Sequence, residues 1–254
     1  MKKVNIVIIG GGTGTFTVIQ GLKHHPQFSL TAIVTMTDSG GSAGRLRDEF
    51  GTLPVGDVRQ CLVALSKEDE AGNILRELFN YRFPNTNSSL HGHNFGNIFL
   101  TALSNILGGE EQAIDAASKI LNIKGRIIPV TTDNVDLVAK YDNGFILYGE
   151  KNIDEPYNNP KHDCNSRISR LWTQPDAKLN PHAENAIINA DYIIMGPGDF
   201  YSSLMANIVI NGMDKVISAS KAKFIYIPNL VSKYGQTSNM KQSDYIYELA
   251  KYIG

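Results

Sequence analysis

The segment VNIVIIGGGTGT, residues 4–15, decides the fold of this 254-residue chain. Its first six residues are mainly apolar and β-branched, which predicts a buried parallel strand. Four glycines interrupted by a threonine come next, and apolar residues then recur at helical spacing between Phe16 and Leu22. A strand, a glycine turn and a helix in this order point a helix N-terminus at a phosphate group.

This first glycine loop leaves its ligand open. A dinucleotide fingerprint needs a third small residue, and counting from Gly10 or from Gly12 places Thr15 or Thr17 there. A glycine-rich connection without any ligand is the competing interpretation. We predict a phosphate loop, for which a dinucleotide is one candidate ligand. Its residues are Gly11, Gly12, Thr13 and Gly14.

A second glycine-rich segment, TDSGGSAGRLR at residues 37–47, follows a predicted strand at 30–36. Regular structure is costly across its glycines, but their backbone N–H groups and the serine hydroxyls are donors. The two arginines that follow can close over an anion. We predict a phosphate or diphosphate site, with Gly40, Gly41, Ser42, Arg45 and Arg47 as its residues.

The third element, GPGDFYSS at residues 196–203, follows a predicted strand at 192–195 and opens into a predicted helix. It therefore repeats the phosphate-binding geometry. Glycines permit close approach of a ligand, and hydroxyls near a helix start can donate to it. The predicted site residues are Gly196, Gly198, Ser202 and Ser203.

Three aspartates accompany these loops. Asp38, at a strand end, either holds a magnesium ion or bonds to its own turn. Asp57 precedes an apolar helical pattern, so it either caps a helix or ligates a metal. Asp199 would repel an anion, so it either caps a helix or contacts a sugar hydroxyl or a metal.

Histidine and asparagine side chains add a polar wall near a predicted helix at 97–107. His93 and Asn97 are expected to donate hydrogen bonds to a ligand. The pair of His91 and His93 has no third ligand at recognisable spacing, so zinc is not expected, and His91 is given no role. The run His162-Asp163-Cys164 is interpreted as a surface loop rather than a triad fragment.

Composition limits the class of protein. With 24 basic and 25 acidic residues the net charge is −1, and nothing indicates a nucleic-acid partner. Two cysteines in no metal spacing suit a reducing cytosol. The apolar stretch before Gly10 is too short for a signal peptide or a membrane span. We expect a soluble, cytoplasmic protein.

Strand and helix patterns alternate along the whole chain, without a low-complexity linker. They predict one Rossmann-like α/β domain at 1–254, with a mainly parallel sheet and a small antiparallel insertion at about 132–175. Asn143-Gly144 indicates a hairpin within that insertion. Further helices are predicted at 74–81, 113–121 and 245–252, and further strands at 126–130, 135–140, 145–149, 167–173 and 224–227.

These motifs, in this order, resemble the YvcK-like gluconeogenesis factors, which belong to the CofD-like superfamily of 2-phospho-L-lactate transferases. The resemblance covers nearly the whole chain. The matching segments are 10–14, Asp38 with 40–47, Pro54 with 56–59, 92–97, 125–131, 190–191 with 196–198, and 229–230 with 235–237.

The resemblance implies a function and adds Asn229 to the ligand site. YvcK-like proteins bind a uridine diphosphate (UDP) sugar and regulate carbon allocation, cell-wall synthesis and cell shape, without an established reaction. The alternative is a magnesium-dependent enzyme that transfers a phospholactyl group from a nucleotide-activated donor to a deazaflavin precursor. In that case Asp38 would be catalytic. The detailed matches at 44–47 and 56–59 favour the regulator.

The chain departs from the family pattern at three places. Relatives commonly carry serine at position 199, many have an acidic residue where this chain has Ser39, and they usually continue past position 254. We predict a nucleotide diphosphate or a nucleotide sugar as the ligand. Because the site has fewer carboxylates than in many relatives, we expect little dependence of binding on magnesium and no turnover. A regulatory protein partner and a homo-oligomer are left open.

Overall fold

The structure, a computed structural model, describes residues 3–84 and 87–254. Its centre is a five-stranded parallel sheet in the order β3-β2-β1-β7-β8. The strands of this sheet are β1 Val4–Gly10, β2 Phe28–Val34, β3 Arg126–Pro129, β7 Tyr192–Met195 and β8 Lys223–Tyr226.

Parallel pairing brings the carboxyl ends of the strands to one edge. Gly10 of β1 lies opposite Val34 of β2, and Met195 of β7 lies opposite Ile9. The three glycine-rich segments leave the sheet at these ends. Open α/β sheets bind ligands at this edge, so the topology places the predicted loops together.

Helices cover both faces of the sheet, because alternate residues of β1 enter two different cores. Ile6 and Ile8 pack in one core, while Val7 and Ile9 pack in the other. The helices are α1 Gly12–Leu22, α2 Gly41–Phe50, α3 Gly56–Leu65, α4 Glu70–Asn80, α5 Phe95–Leu107, α6 Glu110–Ile120, α7 Glu150–Asp154, α8 Pro181–Ile188, α9 Ala206–Ile208, α10 Met213–Ala219 and α11 Gln242–Ile253. A 3-10 turn spans Pro156–Asn158, and a π-helix spans Phe200–Met205.

A small antiparallel sheet lies between β3 and α8 in the chain. Its strands, in the order β5-β4-β6, are β4 Asp136–Tyr141, β5 Ile146–Tyr148 and β6 Ile168–Gln174. Leu137 and Leu171 of this sheet share a core with Val7 of the main sheet. The predicted fold class, a mainly parallel sheet with a small antiparallel addition, is confirmed.

Two local predictions about helix starts are wrong. Residues 39–44 are not irregular throughout, because α2 begins at Gly41 and uses the glycine run as its first turn. Asp57 does not cap a helix: α3 begins one residue earlier, Val55 is the N-cap, and the carboxylate lies in the first turn. Both differences place the polar groups of these segments inside helix N-termini.

The segment around His162 also differs from its prediction. His162 is only 9% exposed and packs against the rings of Tyr141 and Phe145, at centroid distances of 4.3 and 5.7 Å. The polar composition of the run hid this contact, because an imidazole can stack on aromatic rings while its neighbours face solvent. Within the described residues, no helix is long and apolar enough to cross a membrane.

Candidate functional site

The first and third glycine segments touch each other at the edge of the sheet. A Cβ atom at Gly14 would collide with the carbonyl oxygen of Pro197, so glycine is required for this approach. Asn229 holds the third segment from the other side. Its amide accepts from the N–H of Gly198 at 3.2 Å and donates to the carbonyl of Gly198 at 2.7 Å. The N-terminus of α1 is thus packed against a braced loop.

A carboxylate lies at the N-terminus of α1, where the phosphate is predicted. The N–H of Gly12 donates to the carboxyl group of Asp57, and a Cβ atom at Gly11 would collide with that group. Thr13 is exposed beside them. Asp57 therefore satisfies part of the helix end itself.

The carboxylates of the site surround a small polar cavity of about 140 Å³. Its lining residues are Thr35, Asp38, Asp57, Glu150, Ser202 and Ser203. Asp38 bonds to its own turn as one interpretation predicts, since its Oδ1 accepts from the N–H of Gly40 at 2.8 Å. The same side chain also faces the cavity, so the two interpretations of Asp38 are compatible.

Glu150 and Asp154 of α7 are site residues that the sequence did not indicate. The N–H of Ser39 donates to the carboxyl group of Glu150, and the hydroxyl of Ser202 donates to Asp154 at 2.8 Å. Glu150 lies 112 positions beyond Asp38 in the chain, and no motif surrounds it. Only the packing of α7 against the π-helix reveals it.

Burial and neighbouring negative charges raise the pKa values of the acidic side chains in this cavity. Burial and then the charge of Asp38 raise the pKa of Asp57 to about 7. Burial and then the charges of Asp38 and Asp154 raise the pKa of Glu150 to about 9. Burial raises the pKa of Asp38 as well. Glu150 therefore keeps its proton at neutral pH and can donate it to a hydroxyl group, whereas a cation in the cavity would displace such protons and lower these pKa values.

Asp199 does not cap the π-helix and forms an ion pair instead. Its side chain makes no capping hydrogen bond and instead pairs with Lys233 at 3.1 Å. Lys233 also pairs with Asp154, so one ammonium group links α7 to the third glycine segment. Burial, followed by the charge of Asp154, raises the pKa of Asp199. Lys233 is a further site residue that the sequence did not indicate.

The two predicted arginine clamps have different surroundings. Arg47 is mostly buried and donates to Asp136 at 2.7 Å, which ties α2 to β4. Arg45 is exposed and donates to the carbonyl oxygen of His91 at 2.7 Å. Of the two, Arg45 has the freedom to reach an anion at the start of α2.

His93 and Ser42 form a buried pair beside the start of α5. The hydroxyl of Ser42 accepts from the N–H of Asn94 at 3.0 Å and lies 3.2 Å from Nδ1 of His93. Burial and the nearby charge of Arg45 lower the pKa of His93, which keeps the ring neutral. The buried Oδ1 of Asn97 has no hydrogen-bond partner among the described residues. His93 thus lies beside the first turn of α2 and near Arg45.

A larger cleft of about 670 Å³ opens beside the third glycine segment. Its walls are mainly apolar, and its polar groups are Asp199, Asn229, Ser232 and Lys233. The apolar lining consists of Pro197, Ile227, Pro228, Leu230 and Val231. The cleft has the size and the mixture of surfaces that suit an organic ligand next to a polar site.

A magnesium ion is compatible with the donors in the small cavity. Among the described residues, no three His, Cys, Asp or Glu side chains are arranged to hold a metal by themselves. Magnesium, however, is commonly held by one or two carboxylates together with phosphate oxygens and water. Asp38 and Asp57, which line the same cavity, are donors of that kind.

Comparison with known proteins shows where this chain belongs. The chain is 38% identical over 255 residues to the gluconeogenesis factor of Halalkalibacterium halodurans, covering all of this chain and 75% of that protein. It is 36% identical to the gluconeogenesis factor of Bacillus subtilis, covering all of this chain and 76% of that protein.

The fold and the family model agree with these relatives. A crystal structure of a UPF0052-family protein from Bacillus halodurans superposes with a TM-score of 0.91 at 36% identity, covering all of this chain and 78% of that one. The model of the family "2-phospho-L-lactate transferase CofD" matches residues 6–254. The chain therefore belongs to the CofD family, and within it to the group of gluconeogenesis factors.

Proposed function

We propose that this protein binds a nucleotide sugar, a UDP sugar in particular, and acts as a regulator rather than as an enzyme. The observation that supports this most is that three glycine-rich strand ends, with their backbone N–H donors, lie at one edge of the sheet, beside a cavity lined by carboxyl and hydroxyl groups. A nucleotide diphosphate needs the donors, and a sugar needs the acceptors.

The parts of the site suggest a division of roles. The first turn of α2 and the exposed Arg45 provide donors for the diphosphate. The carboxylates of Asp38 and Glu150 provide acceptors for sugar hydroxyls, and the mainly apolar cleft beside Asn229 provides a surface for the nucleoside.

We propose that a magnesium ion takes part in binding the diphosphate. Asp38 and Asp57 would hold it, and a bound ion would neutralise charge on the diphosphate oxygens. The sequence suggested a thin carboxylate set because Ser39 replaces an acid. Asp154 adds a carboxylate from another part of the chain, and we propose that magnesium strengthens ligand binding.

The biological role follows from the relatives and remains part of the proposal. Proteins at 36–38% identity are named gluconeogenesis factors. We propose that this protein likewise works in the cytoplasm on carbon metabolism, with cell-wall synthesis and cell shape as further outputs, through a regulatory protein partner. Binding of a nucleotide sugar would report the supply of cell-wall precursor to that partner.

A transferase of the 2-phospho-L-lactate type is the second candidate, because the family model carries that name and the cavity is rich in acids. An enzyme would need Asp38 and Asp57 to position magnesium at a transferring phosphoryl group. Incubation with guanosine-diphospho-lactate, the deazaflavin precursor and magnesium separates the candidates. Multiple turnovers that vanish in Asp38→Asn would replace the regulator by the enzyme; we expect none.

The proposed ligand class is tested by melting temperatures with UDP-glucose, guanosine diphosphate and nicotinamide dinucleotide. A ligand at one hundred times its dissociation constant adds about 2.7 kcal/mol, which raises the melting temperature of a chain this size by roughly 5 to 10 °C. We expect UDP-glucose to give the largest rise. No rise with any of the three at millimolar concentration would exclude a nucleotide site.

A further inference from the structure

Three arginine side chains lie together at the loop that leads into α5. Arg45 and Arg82 donate to the carbonyl oxygens of residues 91 and 92, at 2.7 and 2.8 Å. Arg59 packs against the start of α5, since a Cβ atom at Gly96 would lie 2.8 Å from its Cδ. Arg45 comes from α2, Arg59 from α3 and Arg82 from the segment after α4, so three different elements bring guanidinium groups to this loop.

No carboxylate neutralises these three guanidinium groups. Within the described part of the chain they form no ion pair, and their hydrogen bonds go only to backbone carbonyls and to the side-chain oxygen of Asn80. Each guanidinium uses one of its nitrogen atoms in these bonds and keeps further N–H donors. Arg45 and Arg82 are exposed. In Arg59, Nε is buried without a partner and Nη1 is bonded to Asn80, so Nη2 is the nitrogen left for an anion.

Positive charge exceeds negative charge around this loop. The pKa of Arg59 is lowered by burial and then by the charge of Arg82, although Asp57 opposes this. The pKa of His93 is likewise lowered by burial and then by nearby arginine charge, although Glu49 opposes this. An anion bound beside these side chains would remove the repulsion among the cations.

We propose that Arg45, Arg59 and Arg82 form an arginine cluster that binds a phosphoryl group, and that this group belongs to the diphosphate of the nucleotide ligand. Guanidinium groups match phosphate oxygens in shape and charge. The cluster adjoins the first turn of α2, because Ser42 of that turn accepts from the N–H of Asn94 at 3.0 Å, next to the loop that the arginines contact. The identity of the ligand rests on the proposed function, whereas the phosphoryl site rests on the three arginines. Arg59 and Arg82 are thereby added to the diphosphate site at Arg45.

Pyrophosphate is the probe, because it carries two phosphoryl groups without a nucleoside or a sugar. In a calorimetric titration of the full chain without magnesium, we expect one pyrophosphate site per chain, for which UDP-glucose competes. Arg82→Ala should weaken pyrophosphate binding by a factor of about ten or more, as for the loss of a charge-assisted hydrogen bond, and Arg59→Gln should do the same. Arg126→Ala, at an exposed position on β3, is the matched control and should bind pyrophosphate as the unchanged protein does.

Failure of the arginine cluster differs from failure of the proposed function. No pyrophosphate binding at millimolar concentration, or equal affinity in the unchanged protein and Arg82→Ala, would overturn the cluster even if UDP-glucose binds. A loss of thermal stability in Arg82→Ala with unchanged affinity would mean that this arginine only braces the loop. Pyrophosphate binding that depends on Arg82, with no binding of UDP-glucose, would support the phosphoryl site and contradict the nucleotide sugar. If Arg59→Gln does not fold, the variant at the exposed Arg82 decides.

Discussion

The hydroxyl of Ser39 accepts a hydrogen bond from the backbone N–H of Lys151 at 3.0 Å. This bond fixes the first turn of α7, from the antiparallel part of the chain, to the loop that follows β2. As a result Glu150 lies beside Asp38, whose charge, after burial, raises the pKa of Glu150. Ser39, which replaces an acidic residue of many relatives, thus holds α7 in place and so positions Glu150 at the site.

Glu150 should make the protein less stable as the pH rises. Its pKa is raised from 4.5 to about 9 on folding, so the native state keeps a proton that the unfolded chain releases above pH 4.5. One such proton lowers the free energy of unfolding by at most about 1.4 kcal/mol per pH unit, between pH 4.5 and 9. Glu150→Gln has no proton to lose, so its melting temperature should fall less between pH 5 and 9 than that of the unchanged protein. Parallel curves for the two proteins would show that Glu150 is ionised in the fold.

Arg47 should act on stability and Arg45 on binding. Arg47→Ala removes a partly buried ion pair with Asp136 and should cost about 1 kcal/mol of stability, or roughly 2 to 4 °C in melting temperature. Asp136→Asn should have a similar effect, and the double variant should lose less than the sum. A loss of UDP-glucose affinity in folded Arg47→Ala, beyond that in Asp136→Asn, would return Arg47 to the ligand site.

Two glycines of α1 should respond in opposite ways to alanine. Gly14→Ala forces a methyl group into the carbonyl of Pro197, so it should destabilise the fold by 1 to 3 kcal/mol, of the order of a small-to-large change in a packed site. Gly21 of the same helix has open space around it, so Gly21→Ala should stabilise by about 0.5 to 1 kcal/mol. Thermal or urea unfolding of both variants measures this. Equal effects would mean that α1 does not pack against the third glycine segment.

Magnesium should strengthen binding of UDP-glucose. Where Asp38 and Asp57 are ionised, they repel a diphosphate unless a cation lies between them. Affinity measured in magnesium should exceed affinity measured in a chelator, and Asp38→Asn should narrow that difference. If the two conditions give the same dissociation constant, the carboxylates serve the sugar alone and the earlier expectation of little magnesium dependence stands.

Sequence patterns predict the sheet and its loops because the signals are local. Residues 4–22 carry a strand, a glycine turn and a helix in one continuous run, and the structure has β1 and α1 there. Asn143-Gly144 likewise predicts the turn between β4 and β5. Helix starts were less certain: α4 begins at Glu70, four residues before its predicted start, because Asp69 caps it by accepting from Gly72 at 2.8 Å.

The contacts that the sequence cannot indicate join distant parts of the chain. Glu150 and Asp154 belong to a short helix without any motif, and Lys233 lies in a loop of ordinary composition. The bond between Arg47 and Asp136 spans 89 positions. Each depends on how the antiparallel sheet packs against the main sheet, which no local pattern encodes.

Calorimetric titration of UDP-glucose in magnesium, with the unchanged protein, Arg45→Ala and Arg126→Ala, tests the central claim most directly. Arg126 is an exposed arginine on the edge strand β3, and its replacement is the matched control. We predict one site per chain, binding weakened by about 1.5 to 3 kcal/mol in Arg45→Ala as for a charge-assisted hydrogen bond, and no change in Arg126→Ala. Absence of binding to the unchanged protein at millimolar UDP-glucose, or equal affinity in all three proteins, would contradict a diphosphate site at the start of α2.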